Sequence, residues 1–378
     1  MTEATDALMA IFRANLRVRR DERVLLFTDR IGPKETVTDE DRLRRERLRD
    51  VARITASLGS PMVKHLQYLE YPATGMHGKE PPRAAWQAAF GVKTIAALDE
   101  AGLMRSILMK RANAEAVEAA RAIINRHKRY AVHAVVAMSN FSTSHTAFRT
   151  FLNDICGTRY ASMPLFDSSM LDGAMLVDWA ALKKRTAQVA RAVRRAVSVE
   201  IKSPNGTEIS FSIKGRRVLE DAGDLTHTGA FGNLPAGEVF MAPVEGTASG
   251  RLVIEWAPTR KLARPLTISV KDGLVTDLAG DEPFRDVLMA KIGERQDNRN
   301  IAELGIGTND EARRPDNVLE SEKILGTIHI ALGDNSSFGG KVRTPFHMDF
   351  VFFRPTLTLI DRRGGRVILI DSGRIMIN

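Results

Sequence analysis

His347 and Asp349 lie two residues apart in the apolar run Phe346-His-Met-Asp-Phe-Val-Phe-Phe353. Successive side chains of a strand alternate sides, so these two would share one face while Phe346, Met348 and Phe350 take the other. An imidazole and a carboxylate buried together are costly unless compensated, which implies a bound cation or a His–Asp hydrogen bond joining two elements. Three further segments carry similar donors. In Gly232-Asn-Leu-Pro-Ala-Gly-Glu238 a Pro/Gly turn delivers Glu238 to the start of an apolar strand, Glu303 sits in Asn300-Ile-Ala-Glu-Leu-Gly-Ile-Gly-Thr-Asn309, and His329 in Leu325-Gly-Thr-Ile-His-Ile-Ala-Leu-Gly333. Two glutamates, two histidines and an aspartate suit zinc, manganese, cobalt or ferrous iron. Taken singly, each has a plainer role: Glu238 as a turn cap, Glu303 as half of a salt bridge, His329 as a core histidine bonded to a backbone carbonyl.

The elements that position these residues fall into two regimes. Up to about residue 196, helix-like and strand-like segments alternate. A strand at Arg23–Thr28 is followed by a helix opened by Thr38 and Asp41, strand-like Met62–Leu69, a helix near Arg83–Phe90, strand-like Ile107–Lys110, a helix over Asn113–His127 and the strand Ala131–Ala137. That order predicts an α/β domain with a mostly parallel sheet over residues 1–196. Its loop Ser139-Asn-Phe-Ser-Thr-Ser-His145 leaves a strand and feeds a helix, the usual ligand-binding end of such sheets. His145 is therefore a candidate substrate contact, although capping by Thr143 or Ser144 also accounts for the hydroxyls. From residue 197 to 378, short alternating strands broken by Asn205-Gly206, Lys214-Gly215, Asp272-Gly273 and Gly364-Gly365 predict a β-rich α+β domain that carries the metal site.

Composition excludes several classes. The 378 residues are 44% hydrophobic and 27% charged, ordinary for a globular chain and too many for one typical core. The net charge of +9 is dispersed, and its densest run, Lys183–Arg195, has apolar Leu182, Val189 and Val193 at helical spacing. That run reads as the solvated face of a helix, with no nucleic-acid partner expected. The start of the chain lacks the layout of a signal peptide and no apolar run reaches membrane-spanning length, so a cytoplasmic protein without membrane contact is expected. Cys156 is the only cysteine, which excludes an internal disulfide, and no base follows it that would make it a nucleophile. Gly305-x-Gly307 lacks the third glycine of a dinucleotide loop, Asp310 standing in its place.

The segments around Glu238, Glu303, His329 and His347-Met-Asp349, in that order over roughly residues 230–353, resemble the thermophilic aminopeptidase family of the leucyl aminopeptidase and aminopeptidase T type. The resemblance implies that Glu238, Glu303, His329, His347 and Asp349 bind one or two divalent ions (zinc, cobalt, manganese or ferrous iron). It further implies that Glu303 bridges the ions and serves catalysis, and that a homodimer of such chains removes amino-terminal residues from peptides through a metal-activated water. Two features depart from that family. Ser336 stands where it carries a tyrosine, and the span from His329 to His347 is shorter, with Gly339-Gly340 in place of a longer loop. The same His329, His347 and Asp349 also form the two-histidine, one-carboxylate set of non-haem ferrous enzymes. Ring-cleaving dioxygenases of the 2,5-dihydroxypyridine type are similar to the aminopeptidases in fold, so a small-molecule substrate is the alternative. A metal-binding protein without catalysis is the third reading.

Overall fold

A computed structural model describes residues 2–33 and 35–377. The chain divides into one unit of Met1–Leu176 with Gly223–Pro235 and another of Val177–Ala222 with Ala236–Asn378. The first is an α/β domain built on a five-stranded parallel sheet. Its spatial order is His65–Pro72, Arg23–Arg30, Ala134–Ala137, Arg159–Ser162 and Phe231–Asn233. The first unit thus takes its last strand from beyond residue 197, while the basic helix Trp179–Val193 belongs to the second unit.

Local chemistry accounts for most of these elements and for the departures from expectation. Thr38 accepts the Asp41 amide and caps the helix Asp39–Gly59, as its sequence predicts. Ile107–Lys110 is not a strand. Met104 and Ile107, three apart, are both buried on one side of the short helix Met104–Leu108, a spacing that a four-residue apolar run conceals. The strand expected over Met62–Leu69 begins only at His65, after a turn that follows Gly59. The helix after the Ser139–His145 loop is capped by Thr146, which accepts the Arg149 amide at 3.1 Å, and not by Thr143 or Ser144. Those two hydroxyls bond instead to Tyr160 and Ser162.

The second unit pairs an eight-stranded sheet with a five-stranded antiparallel one. The smaller sheet runs His347–Phe352, Ile328–Gly333, Ile301–Gly307, Glu238–Met241, Leu219–Asp221. Val239, Met241, Leu304, Ile306, Ile330, Leu332, Phe350 and Phe352 of this sheet join Ile201, Ile209, Leu252 and Leu357 of the larger one in a single core. Burying that face fixes the register, since a slip of one residue would turn the apolar set outward.

The same register gathers the polar residues on the other face. Glu238 pairs with Gly307, Gly305 with His329, Ala331 with both Glu303 and Asp349, and Gly333 with His347. Directly opposed residues share a face, so all five candidate ligands emerge on one side. Glycine and alanine between them leave room for the longer side chains. A Cβ at Gly305 would come within 1.9 Å of the His329 ring, and one at Gly307 within 2.0 Å of the Ile324 carbonyl oxygen. Gly305-x-Gly307 thus makes space for a histidine and a turn. Gly305→Ala should displace the His329 imidazole and destabilise the protein by about 1–3 kcal/mol. Urea unfolding and metal content measured on the same sample check this, and a variant matching wild type in both would contradict it.

Candidate metal centre

Five donors form a continuous series across the sheet. His329 Nε2 lies 3.3 Å from Glu238 Oε2 and 3.4 Å from Glu303 Oε1. His347 Nε2 lies 3.4 Å from Glu303 Oε2 and 3.4 Å from Asp349 Oδ1. These separations are long for charge-assisted hydrogen bonds. They match donors arranged around a shared ion, since bonds of about 2.1 Å place neighbouring ligand atoms roughly 3.0–3.4 Å apart. The structure brings together every sequence-predicted ligand: Glu238, Glu303, His329, His347 and Asp349.

Hydrogen bonds around the site orient the donors. His347 Nδ1 donates to the Asp334 carbonyl at 2.8 Å, which turns Nε2 toward the carboxylates of Glu303 and Asp349. An imidazole lone pair facing carboxylate oxygens needs a proton or a metal cation between them. Glu238 Oε2, buried, has no hydrogen-bond partner. The donor types, their spacing and this orphaned oxygen all fit a divalent ion. His347 and Asp349 keep 24% and 16% of their side-chain surface exposed, whereas His329 keeps 1%, so the site opens at the His347/Asp349 end.

The charges perturb one another strongly. Burial alone would lower the His329 pKa, but the hydrogen bond to Glu303 and the charge of Glu238 outweigh it and push it up to about 9. His347 is likewise raised, its burial overcome by Asp349 and Glu303. Burial would raise Asp349 and Glu303, yet the imidazoles hold both below the ordinary carboxylate range. Glu322 goes the other way. Burial pushes it up to about 8, against the pull of Lys323.

Glu322 and Lys323 are the site residues that the sequence reading missed. Lys323 is wholly buried, its Nζ 2.8 Å from Glu238 Oε1 and 3.0 Å from Glu322 Oε2. Their signal was an adjacent Glu-Lys pair at the entrance to the apolar strand Ile328–Gly333, where charged residues are seldom buried without partners. Ser336 donates its hydroxyl to the Asp334 carboxylate at 3.2 Å and offers no phenol where the aminopeptidases carry one. His145 lies in the first unit, where its carbonyl accepts from Lys110 Nζ at 2.9 Å.

A family model described as NicX, 2,5-dihydroxypyridine 5,6-dioxygenase, matches residues 172–376, more than half of the chain. The chain belongs to this dioxygenase family. A curated 2,5-dihydroxypyridine 5,6-dioxygenase of Pseudomonas putida is 23% identical over 184 residues, covering 44% of this chain and 52% of that protein. The match therefore spans about half the length of that relative. Among solved structures, a 2,5-dihydroxypyridine dioxygenase from Pseudomonas putida KT2440 superposes with a TM-score of 0.68 at 16% identity, over 100% of this chain and 98% of that one. Wild-type AmpT from Thermus thermophilus gives 0.58 at 13% identity, over 99% of both chains. Both likenesses are of fold, an α/β domain followed by a β-rich one.

These findings overturn the expected peptidase function. The matching family model is of a dioxygenase and not of a hydrolase, aminopeptidase or metalloprotease; what the chain shares with AmpT is the fold. The misreading has a physical origin, because the fold is shared with an aminopeptidase and the donor types serve either reaction. The metal expectation stands: a dioxygenase of this kind uses a divalent ion such as ferrous iron, and the donors fit one. Among the described residues, no helix is long and apolar enough to cross a membrane.

The raised imidazoles give a pH dependence of definite sign. Their unfolded values lie near 6.5, so the stability they lend the metal-free fold is fully present below about pH 6.5. It is lost as pH rises through about 9, and Glu322, raised to about 8, acts in the same direction. Over the same window a divalent ion displaces fewer protons and binds more tightly. Thermal unfolding with and without Mn(II) should therefore show a metal-induced rise in Tm that grows from pH 6.5 to 9. A pH-independent rise would contradict the assignment.

Proposed function

We propose that the protein is a ferrous-iron dioxygenase that opens the ring of a hydroxylated pyridine, with 2,5-dihydroxypyridine as the substrate to test first. The family match carries this reading, because residues 172–376 include every candidate ligand on the sheet. The family's description names ring carbons 5 and 6 and the incorporation of dioxygen, so cleavage of that bond adds both oxygen atoms to the product.

His329, His347 and Asp349 would hold the iron, a set that leaves positions free for further ligands. Ferrous iron held there would supply a redox-active centre for dioxygen chemistry. The protein's own groups supply the rest. The partly exposed His347 and Asp349 face the side from which a substrate would approach, and the buried His329 lies at the opposite, closed end. Glu303, held ionised between the two imidazoles, is the base that accepts a proton from a substrate hydroxyl. The Asp334 carbonyl keeps the His347 ring in the tautomer that faces the site. His145 is assigned to substrate contact, and a homodimer is the proposed assembly.

Protein reconstituted with Fe(II) without oxygen should consume one dioxygen per molecule of 2,5-dihydroxypyridine when air is admitted, with loss of the ring's ultraviolet absorption. His347→Ala should lower bound iron and turnover by more than about 100-fold. His145→Ala should keep its iron and raise KM. Release of leucine from leucine amide, with no oxygen uptake on the pyridine, would defeat the proposal.

A further inference from the structure

The ligand face presents two clusters of similar donors. Glu238, Glu322 and His329 form one, Glu303, His347 and Asp349 the other, and within each the ligand atoms lie within 4.8 Å of one another. By donor type alone, each holds two carboxylates and one imidazole, and each would suit a divalent ion. What separates them is Lys323.

We propose that Lys323 is a built-in cation that occupies the Glu238/Glu322 end of the site and limits the protein to one divalent ion, held at the His347/Asp349 end. This rests on the single-iron reading above. The Lys323 ammonium bonds one oxygen of Glu238 and one of Glu322, at 2.8 and 3.0 Å, and its side chain has no exposed surface through which to swing away. Its backbone is fixed as well: the amide donates to the Glu320 carbonyl at 2.9 Å, and the carbonyl accepts from the Asn309 amide at 2.8 Å. A second divalent ion bound by Glu238 and Glu322 would have to share their oxygens with a like-charged group that cannot leave. At the other end, among the described residues, the ion pairs to Glu303 and Asp349 come from imidazoles alone. With Lys323 holding Glu238 and Glu322, the donors left for an ion are His329, His347, Asp349 and Glu303.

In this arrangement Lys323 is a positioning residue. It holds Glu238 beside His329 and keeps the buried carboxylates from drawing in a second ion, without touching substrate or dioxygen.

The test is metal stoichiometry, read by calorimetric titration with Mn(II) and by elemental analysis after gel filtration. Wild-type protein should bind one Mn(II) per chain, with the electron paramagnetic resonance spectrum of an isolated ion. Lys323→Met, similar in length but uncharged, should bind two and show the exchange-broadened spectrum of a coupled pair. Lys323→Arg, which keeps the charge, should remain at one. Two ions in the wild type, or a folded Lys323→Met that binds one as tightly as wild type does, would overturn the proposal. Should Lys323→Met not fold, the wild-type and Lys323→Arg counts still decide, since two ions in either contradict it. Because the readout is a metal count, a wild type that binds one ion but leaves pyridines intact would sink the proposed function and leave the role of Lys323 standing.

Discussion

Four carboxylates, Glu238, Glu303, Glu322 and Asp349, converge on two imidazoles on one face of a small sheet, and such a concentration of negative charge in a largely buried place is tolerable only with cations among it. The protein supplies one covalently, as Lys323, and the imidazoles supply the next by taking protons. The protons can be displaced and the lysine cannot. That difference turns a cluster of charges into a site with a direction, open at His347 and Asp349 and closed at Glu238 and His329.

The rest of the second unit exists to hold that cluster in register. Two sheets bury a common core, and the alternation that sends Ile328, Ile330 and Leu332 inward sends His329 and its neighbours outward. Because the apolar face fixes the register, the ligands need no loop to find one another. Glycines at 305 and 307 and an alanine at 331 complete the arrangement by removing bulk where the imidazole and the adjacent turn must pass.

Much of this was legible in the sequence. The period-two pattern around His347 and Asp349 placed both on one face, and the β-rich half and parallel α/β half followed from the spacing of turns and helices. What escaped was set by contacts distant in sequence. Lys323 reads as a solvated charge until the fold brings Glu238 against it from 85 residues away. Ile107 reads as part of a strand until Met104, one turn earlier, is seen to share its buried side. Gly305-x-Gly307 resembled part of a phosphate loop because the sequence shows that bulk is absent without showing what fills the space.

The reaction was the least legible property, and the reason lies in how donors encode chemistry. Imidazole and carboxylate ligands select a class of divalent ion, but whether the ion activates water or gathers dioxygen with a substrate depends on how many ions bind and which coordination positions stay open. Neither quantity is written in the ligands themselves. Both are controlled by neighbours. Ser336, turned to Asp334, withholds a phenol from the site, and Lys323 holds one end of the carboxylate series with an ammonium. A pair of ions favours hydrolysis by sharing a water between them, and a lone ion with free positions favours oxygen chemistry. An ammonium fixed between Glu238 and Glu322 acts on the first of these quantities, because it takes carboxylate oxygens that a second ion would need.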